Sequence, residues 1–156
     1  MTRYIAVCGP GVAGPADDEA EEVGRLLAEA GAVVVCGGMG GVMEAAARGA
    51  AGAGGVAVGI LPGLDRDEGN PHLTVAVPTG MGEGRNALVV RSADAVIAIA
   101  GEFGTLSEIA LALKIGKPVV GLSTWGLMKG GAPVRTILEA SSPEEAVAAA
   151  LDAAQR

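Results

Sequence analysis

The chain has 156 residues, enough for one domain whose core needs no disulfide or metal staple. Half of it is apolar, yet only Tyr4, Phe103 and Trp125 are aromatic, so the core has to be built from Ala, Val, Ile and Leu; 26 glycines without a collagen period imply many tight turns. A net charge of −7 argues against nucleic acid or an anionic membrane as partner, but not against one small anion held by backbone amides.

In chain order, RYIAVCG (3–9) reads as a strand and ADDEAEEVGRLLAEAG (16–31) as a helix with acids in its first turns and Gly31 at its C-terminus. AVVVCGG (32–38) is a second strand, GGVMEAAARGAAGAG (40–54) an alanine-rich helix and GVAVGIL (55–61) a third strand. A polar loop follows (62–73), then strand 73–79, helix 82–93, strand 95–100, helix 105–116 and strand 118–123. Residues 133–140 read as a short edge strand, and 142–155 as a closing helix with Ser142 as N-cap, Pro143 at N1 and Glu145 at N3. The strands are continuous β-branched runs rather than alternating ones, which implies burial on both faces. Strand–helix alternation then predicts an α/β fold: a doubly wound, mainly parallel sheet of about seven strands with helices on both faces, in one domain over 1–156. Cys8 and Cys36 end apolar runs without forming C-x-x-C and read as small buried thiols. With no secretory leader and no 18-residue apolar span, the expected location is the cytoplasm.

In such a sheet, ligands bind beyond the carboxyl ends of the strands, where the strand order reverses. Three glycine-rich loops leave strands there. GPGVAG (Gly9, Gly11, Gly14) fits G-x-G-x-x-G, but the second strand ends in Cys36-Gly37-Gly38, without the acid a nicotinamide ribose needs. GGMGG places Gly37, Gly38, Gly40 and Gly41 before a helix, freeing amides to face an anion; no G-K-[ST] follows, so it is not a Walker A loop. In the third loop, Gly101 and Gly104 flank Glu102 and Phe103, and Thr105 begins the helix. Its amides and the Thr105 hydroxyl suit a phosphate. TLSE (105–108) also fits a capping box in which Glu108 reaches back to the Thr105 amide, so Glu108 reads either as a cap or as a carboxylate facing a ligand.

Together, GGMGGVMEAAARGA and GEFGTLSE resemble the G-G-G-x-x-G-x-M and P-G-G-x-G-T-x-x-E motifs of the LONELY GUY-like proteins, often labelled lysine-decarboxylase-like, whose type members are phosphoribohydrolases. The stretches ILPGLDRDEGNPHLTVAVPTG and GMGEGRNALVVRSADAVIAIAG resemble the short bacterial branch similar to molybdenum-cofactor carrier proteins. The resemblance spans about residues 3 to 125. It implies a Rossmann-like fold, a homodimer or dimer of dimers, and a nucleoside-monophosphate-like ligand with its phosphate on the third loop. In the hydrolases, the matching Arg85 and Glu108 would act on the N-glycosidic bond through an oxocarbenium-like state, with no cofactor required. The alternative is a binding module that carries a nucleotide or a phosphorylated pterin, the molybdenum cofactor, without turnover. Two departures favour it: Asn86 stands where the hydrolases have Lys, and Ala100-Gly101-Glu102 where they have P-G-G.

Other chemistry is excluded by its residues. A pyridoxal-dependent decarboxylase needs an activated lysine. Lys114 and Lys117 sit at a helix C-terminus, and Lys129 in a glycine-rich loop. His72 is the one histidine, so no His-based zinc cluster or Ser-His-Asp triad can form. Asp65, Arg66, Asp67 and Glu68 read as solvated turn charges. The Ala- and Leu-rich surfaces of helices 40–54 and 105–116 exceed what one sheet face covers, which predicts a homo-oligomer.

Overall fold

The computed structural model describes residues 1–155. The continuous runs form β1 (Tyr4–Cys8), β2 (Val33–Cys36), β3 (Val56–Leu61), β4 (Val75–Pro78), β5 (Ala95–Ile99), β6 (Val119–Leu122) and β9 (Ile137–Ala140), joined into one parallel sheet of order β4-β3-β2-β1-β5-β6-β9. The doubly wound α/β expectation holds. The order reverses between β1 and β5, so the carboxyl ends of these two strands open onto the crevice where such folds bind ligands.

Helices α1 (Asp17–Glu29), α2 (Val42–Gly52) and α5 (Pro143–Ala153) cover one face; α3 (Asn86–Ser92) and α4 (Phe103–Lys114) cover the other. Both cores are aliphatic. Ile5, Leu27, Ile97 and Ile99 are fully buried on the first face, and Val89, Val90, Ile109 and Ala112 on the second. Each buried Val, Leu or Ile contributes about 1.5–3 kcal/mol of transfer free energy. No aromatic side chain is buried among the described residues.

Three expectations are corrected. The strand read over 133–140 is two strands. Gly130 (φ 58°) and Gly131 (φ 80°) make a two-residue turn, which pairs β7 (Leu127–Lys129) antiparallel with β8 (Ala132–Val134); β9 alone joins the sheet. Helix 82–93 opens as a 3-10 turn (Gly82–Arg85) and becomes α-helical at Asn86. The alanine face of α2 is covered within the chain by α1. A Cβ at Gly24 would lie 2.0 Å from the Ala46 carbonyl oxygen, and one at Gly49 only 1.9 Å from that of Glu21, so the two helices cross at backbone contact. The exposed apolar surface lies elsewhere. The β3–β4 connection carries a 3-10 turn (Arg66–Glu68) in place of a crossover helix, and Val56, Val75 and Val77 stay more than a third exposed.

Candidate functional site

The three glycine loops meet at the strand-order reversal. Gly9 follows β1 in close contact with the Ile99 carbonyl oxygen and Val42. Gly41 has φ 60°, and a Cβ there would stand 2.2 Å from the Pro10 carbonyl oxygen, so only glycine lets the first two loops interlock; the Val42 amide donates to that same oxygen at 3.0 Å. Between the loops and α4 lies a cavity of about 160 Å³. Of the expected residues, Gly9, Gly11, Gly37, Arg85, Asn86, Gly104, Thr105 and Glu108 line it. Gly38, Gly40, Gly41 and Gly101 do not; they pack the loops behind it, Gly38 against Leu61, Gly40 near Gly11, Gly41 on Pro10 and Gly101 over the Thr105 side chain. Cys8 and Met43 line the cavity and were not anticipated. The signal for Cys8 was its place as the last residue of a strand, one before the first loop glycine.

Arg85 ends the 3-10 turn and is tied to the sheet. Its Nε–H donates to the Ile60 carbonyl at 2.9 Å, Nη2 to the Gly37 carbonyl at 3.3 Å, and Nη1 to the Asn86 side-chain oxygen. Three of its five N–H groups are therefore engaged by the protein. Asn86 donates onward to the Ser107 hydroxyl at 3.4 Å, and Ser107 donates to the Gly104 carbonyl at 2.6 Å, so the starts of α3 and α4 are fastened together.

Of the two readings of Glu108, the capping box over Thr105–Glu108 does not form. Helix α4 begins two residues earlier, with Glu102 as its N-cap, and this places Thr105 (3% exposed) and Glu108 (8% exposed) on the inward face. The Glu108 carboxylate accepts the Cys8 thiol hydrogen instead. Burial pushes the Glu108 carboxyl up to about 7, against the lowering effect of the Cys8 hydrogen bond and of the Arg85 charge. Burial also raises the Cys8 thiol well above its ordinary range, helped by Glu108, and takes Cys36 to about 11, so both stay protonated at neutral pH. Glu102 is exposed and lies outside the cavity lining. The first-turn amides of α4, at Phe103, Gly104 and Thr105, have no partner inside the helix.

The third loop is held from behind. Ala100 has φ 47°, a left-handed conformation costly for a residue with a Cβ, and its carbonyl accepts the Thr124 hydroxyl. The Trp125 indole N–H donates to the Glu102 carbonyl at 3.2 Å, with the Trp125 and Phe103 ring centroids 5.6 Å apart. On the other side the 62–73 loop is fastened to the second glycine loop: the Asn70 amide donates to the Gly38 carbonyl at 2.9 Å, and its side chain to that of Met39 at 3.0 Å. Asp65, Arg66, Asp67 and Glu68 are all exposed, as expected of solvated turn charges, and Asp65 and Glu68 form a capping box of their own. His72 lies 3.9 Å from Glu44 and outside the cavity. The lysines stand apart from it, and Lys117 donates to the Ala93 carbonyl. Among the described residues no cluster of three or more His, Cys, Asp or Glu could hold a metal, and no helix is long and apolar enough to cross a membrane.

The model of the SLOG cluster4 family matches residues 2–149. An uncharacterized protein of Archaeoglobus fulgidus is 45% identical over 139 residues, covering 86% of this chain and 87% of its own. Among solved structures, the molybdenum cofactor binding protein of Rippkaea orientalis superposes with a TM-score of 0.87 at 37% identity over 97% of each chain. The molybdenum cofactor carrier protein of Chlamydomonas reinhardtii superposes at 0.84 with 29% identity over 100% of both.

Proposed function

The chain belongs to the SLOG cluster4 family, and on that premise we propose that it is a carrier of a phosphorylated pterin, the molybdenum cofactor as cargo, rather than a hydrolase. The resemblance holds at the level of the family, read from the two glycine motifs, and of its carrier-like branch, read from the stretches between them. The observation that carries the reading is the size of the cavity. At about 160 Å³ it is well below the ~300–1,000 Å³ of sites that enclose a small molecule, so it takes a head group and leaves the rest of the ligand outside. The free first-turn amides of α4, with Gly104 and Thr105 at the cavity wall, suit a phosphate as that head group. The commitment of Arg85 to Ile60, Gly37 and Asn86 supports a wall residue rather than a mobile clamp on a sugar. Similarity over almost the whole chain to proteins described as binding or carrying the molybdenum cofactor points the same way. A homodimer or dimer of dimers in the cytoplasm completes the reading, and the exposed valines of β3 and β4 support the assembly.

One observation favours hydrolysis of a nucleoside 5′-monophosphate as the second reading: Glu108, poised near 7, shares the cavity with Arg85. A single experiment separates the two. The protein is incubated anoxically with molybdenum cofactor released from a denatured molybdoenzyme, desalted, and assayed for retained pterin by fluorescence after oxidation. In parallel it is incubated with AMP, GMP, CMP and UMP, and free base is measured. We expect about one pterin retained per site and no free base. Multiple turnovers of base release would replace the carrier reading with the hydrolase.

A further inference from the structure

We propose that Glu108, held by the Cys8 thiol at the cavity wall, meets the bound anion in its protonated form and donates a hydrogen bond to it, so that capture at alkaline pH takes up a proton and release returns it. The inference rests on the anion site proposed above and adds its regulation.

The geometry leaves Glu108 little alternative. It is nine-tenths buried and opens onto a cavity whose other polar groups suit an anion, the Thr105 hydroxyl and the α4 amides. Among the described residues it makes no ion pair, and Arg85, whose charge reaches it, has three of its five N–H groups on Ile60, Gly37 and Asn86. Among the described residues its hydrogen-bond partner is the Cys8 thiol, a weak donor. An ionised carboxylate there would repel the anion at short range, whereas the acid form is a donor and adds no charge. The titratable groups facing Glu108 are Cys8 from β1, Cys36 from β2 and Arg85 from the 3-10 turn. Both thiols stay protonated far above neutrality, so within the neutral range the carboxyl is the group of this set that changes state. Cys8 acts as a positioning residue: its hydrogen bond favours the ionised form and so tunes where release begins.

Sulfate is the probe, because it does not titrate in this range, whereas a phosphate monoester does so near pH 6. Sulfate affinity is measured at pH 6 and pH 8.5 at constant ionic strength for the wild type, Glu108→Gln and Cys8→Ala. The carboxyl carbon of Glu108 is followed by NMR with and without sulfate in the wild type. We expect wild-type affinity to fall about tenfold or more from pH 6 to pH 8.5, and the Glu108 titration midpoint to rise when sulfate binds. Glu108→Gln should bind equally at both pH values. Cys8→Ala should keep the pH 6 affinity and move the loss of binding to higher pH, a displacement that a merely packing thiol would not cause. Wild-type binding independent of pH, or a Glu108 midpoint unmoved by sulfate, would overturn this inference alone. Absence of sulfate binding at both pH values would overturn it together with the anion site.

Discussion

Glu108→Gln will raise the melting temperature at pH 8 by several degrees and change it little at pH 4. Burial takes this carboxyl from the ordinary 4.5 to about 7, so the folded protein holds the proton more tightly than the unfolded chain does. The stability this provides is complete below about pH 4.5 and is lost as the pH rises through 7, where the folded state has to bury an ionised carboxylate. At about 1.4 kcal/mol per pH unit, the gap between the two values is worth about 3 kcal/mol. In a domain of this length, each kcal/mol moves the midpoint by roughly 2–4 °C. Glutamine is neutral at both pH values, matches the shape, and keeps an oxygen for the Cys8 thiol. Calorimetry of both proteins at both pH values checks this; a variant no more stable than the wild type at pH 8 would show that the carboxylate is not strained by burial.

Gly49→Ala should cost about 3 kcal/mol or more, against the sign that helix propensity dictates. In an isolated helix, alanine would gain about 1 kcal/mol over glycine. Here the added methyl would sit 1.9 Å from the Glu21 carbonyl oxygen and close to the Arg25 amide nitrogen, and neither backbone group can rotate away. The helices would have to separate along a seam that Gly24 closes equally tightly from the other side. Gly52→Ala, at the end of the same helix with nothing within 4 Å of the added atom, is the control and should gain up to about 1 kcal/mol. Urea unfolding of the pair tests this. Equal stability of the two variants would mean that the α1–α2 contact is looser than its geometry.

The sheet was legible in the sequence because most of its strands are apolar runs rich in Val and Ile that end at glycine, proline or a polar residue, as in VVVCGG and AVIAIAG. What escaped was set by pairing and burial rather than by period. Gly130-Gly131 was a hairpin signal between two short segments, but the apolar content around it was too thin to read as strands. TLSE has the spacing of a capping box, and spacing alone cannot tell an outward Glu108 from an inward one. The tertiary contact with Cys8, about a hundred positions earlier in the chain, settles it. Eight residues that line the cavity were read from the glycine motifs and from Arg85, Asn86 and Glu108, which the resemblance brought forward. Cys8 was passed over because a small thiol ending an apolar run is usually core, and this one is core and cavity wall at once.

Trp125 is the one tryptophan, and it sits outside a core that holds no aromatic ring, on the segment fastened to the third glycine loop through Glu102 and Phe103. Its emission is therefore an optical gauge of that loop and of the edge of the second core, against which the ring packs. Quenching or a spectral shift on adding an anion reports rearrangement at the start of α4 while the sheet stays intact. In a denaturation experiment, a fluorescence transition that precedes the loss of far-ultraviolet dichroism reports local opening of this loop ahead of the cooperative unfolding of the sheet.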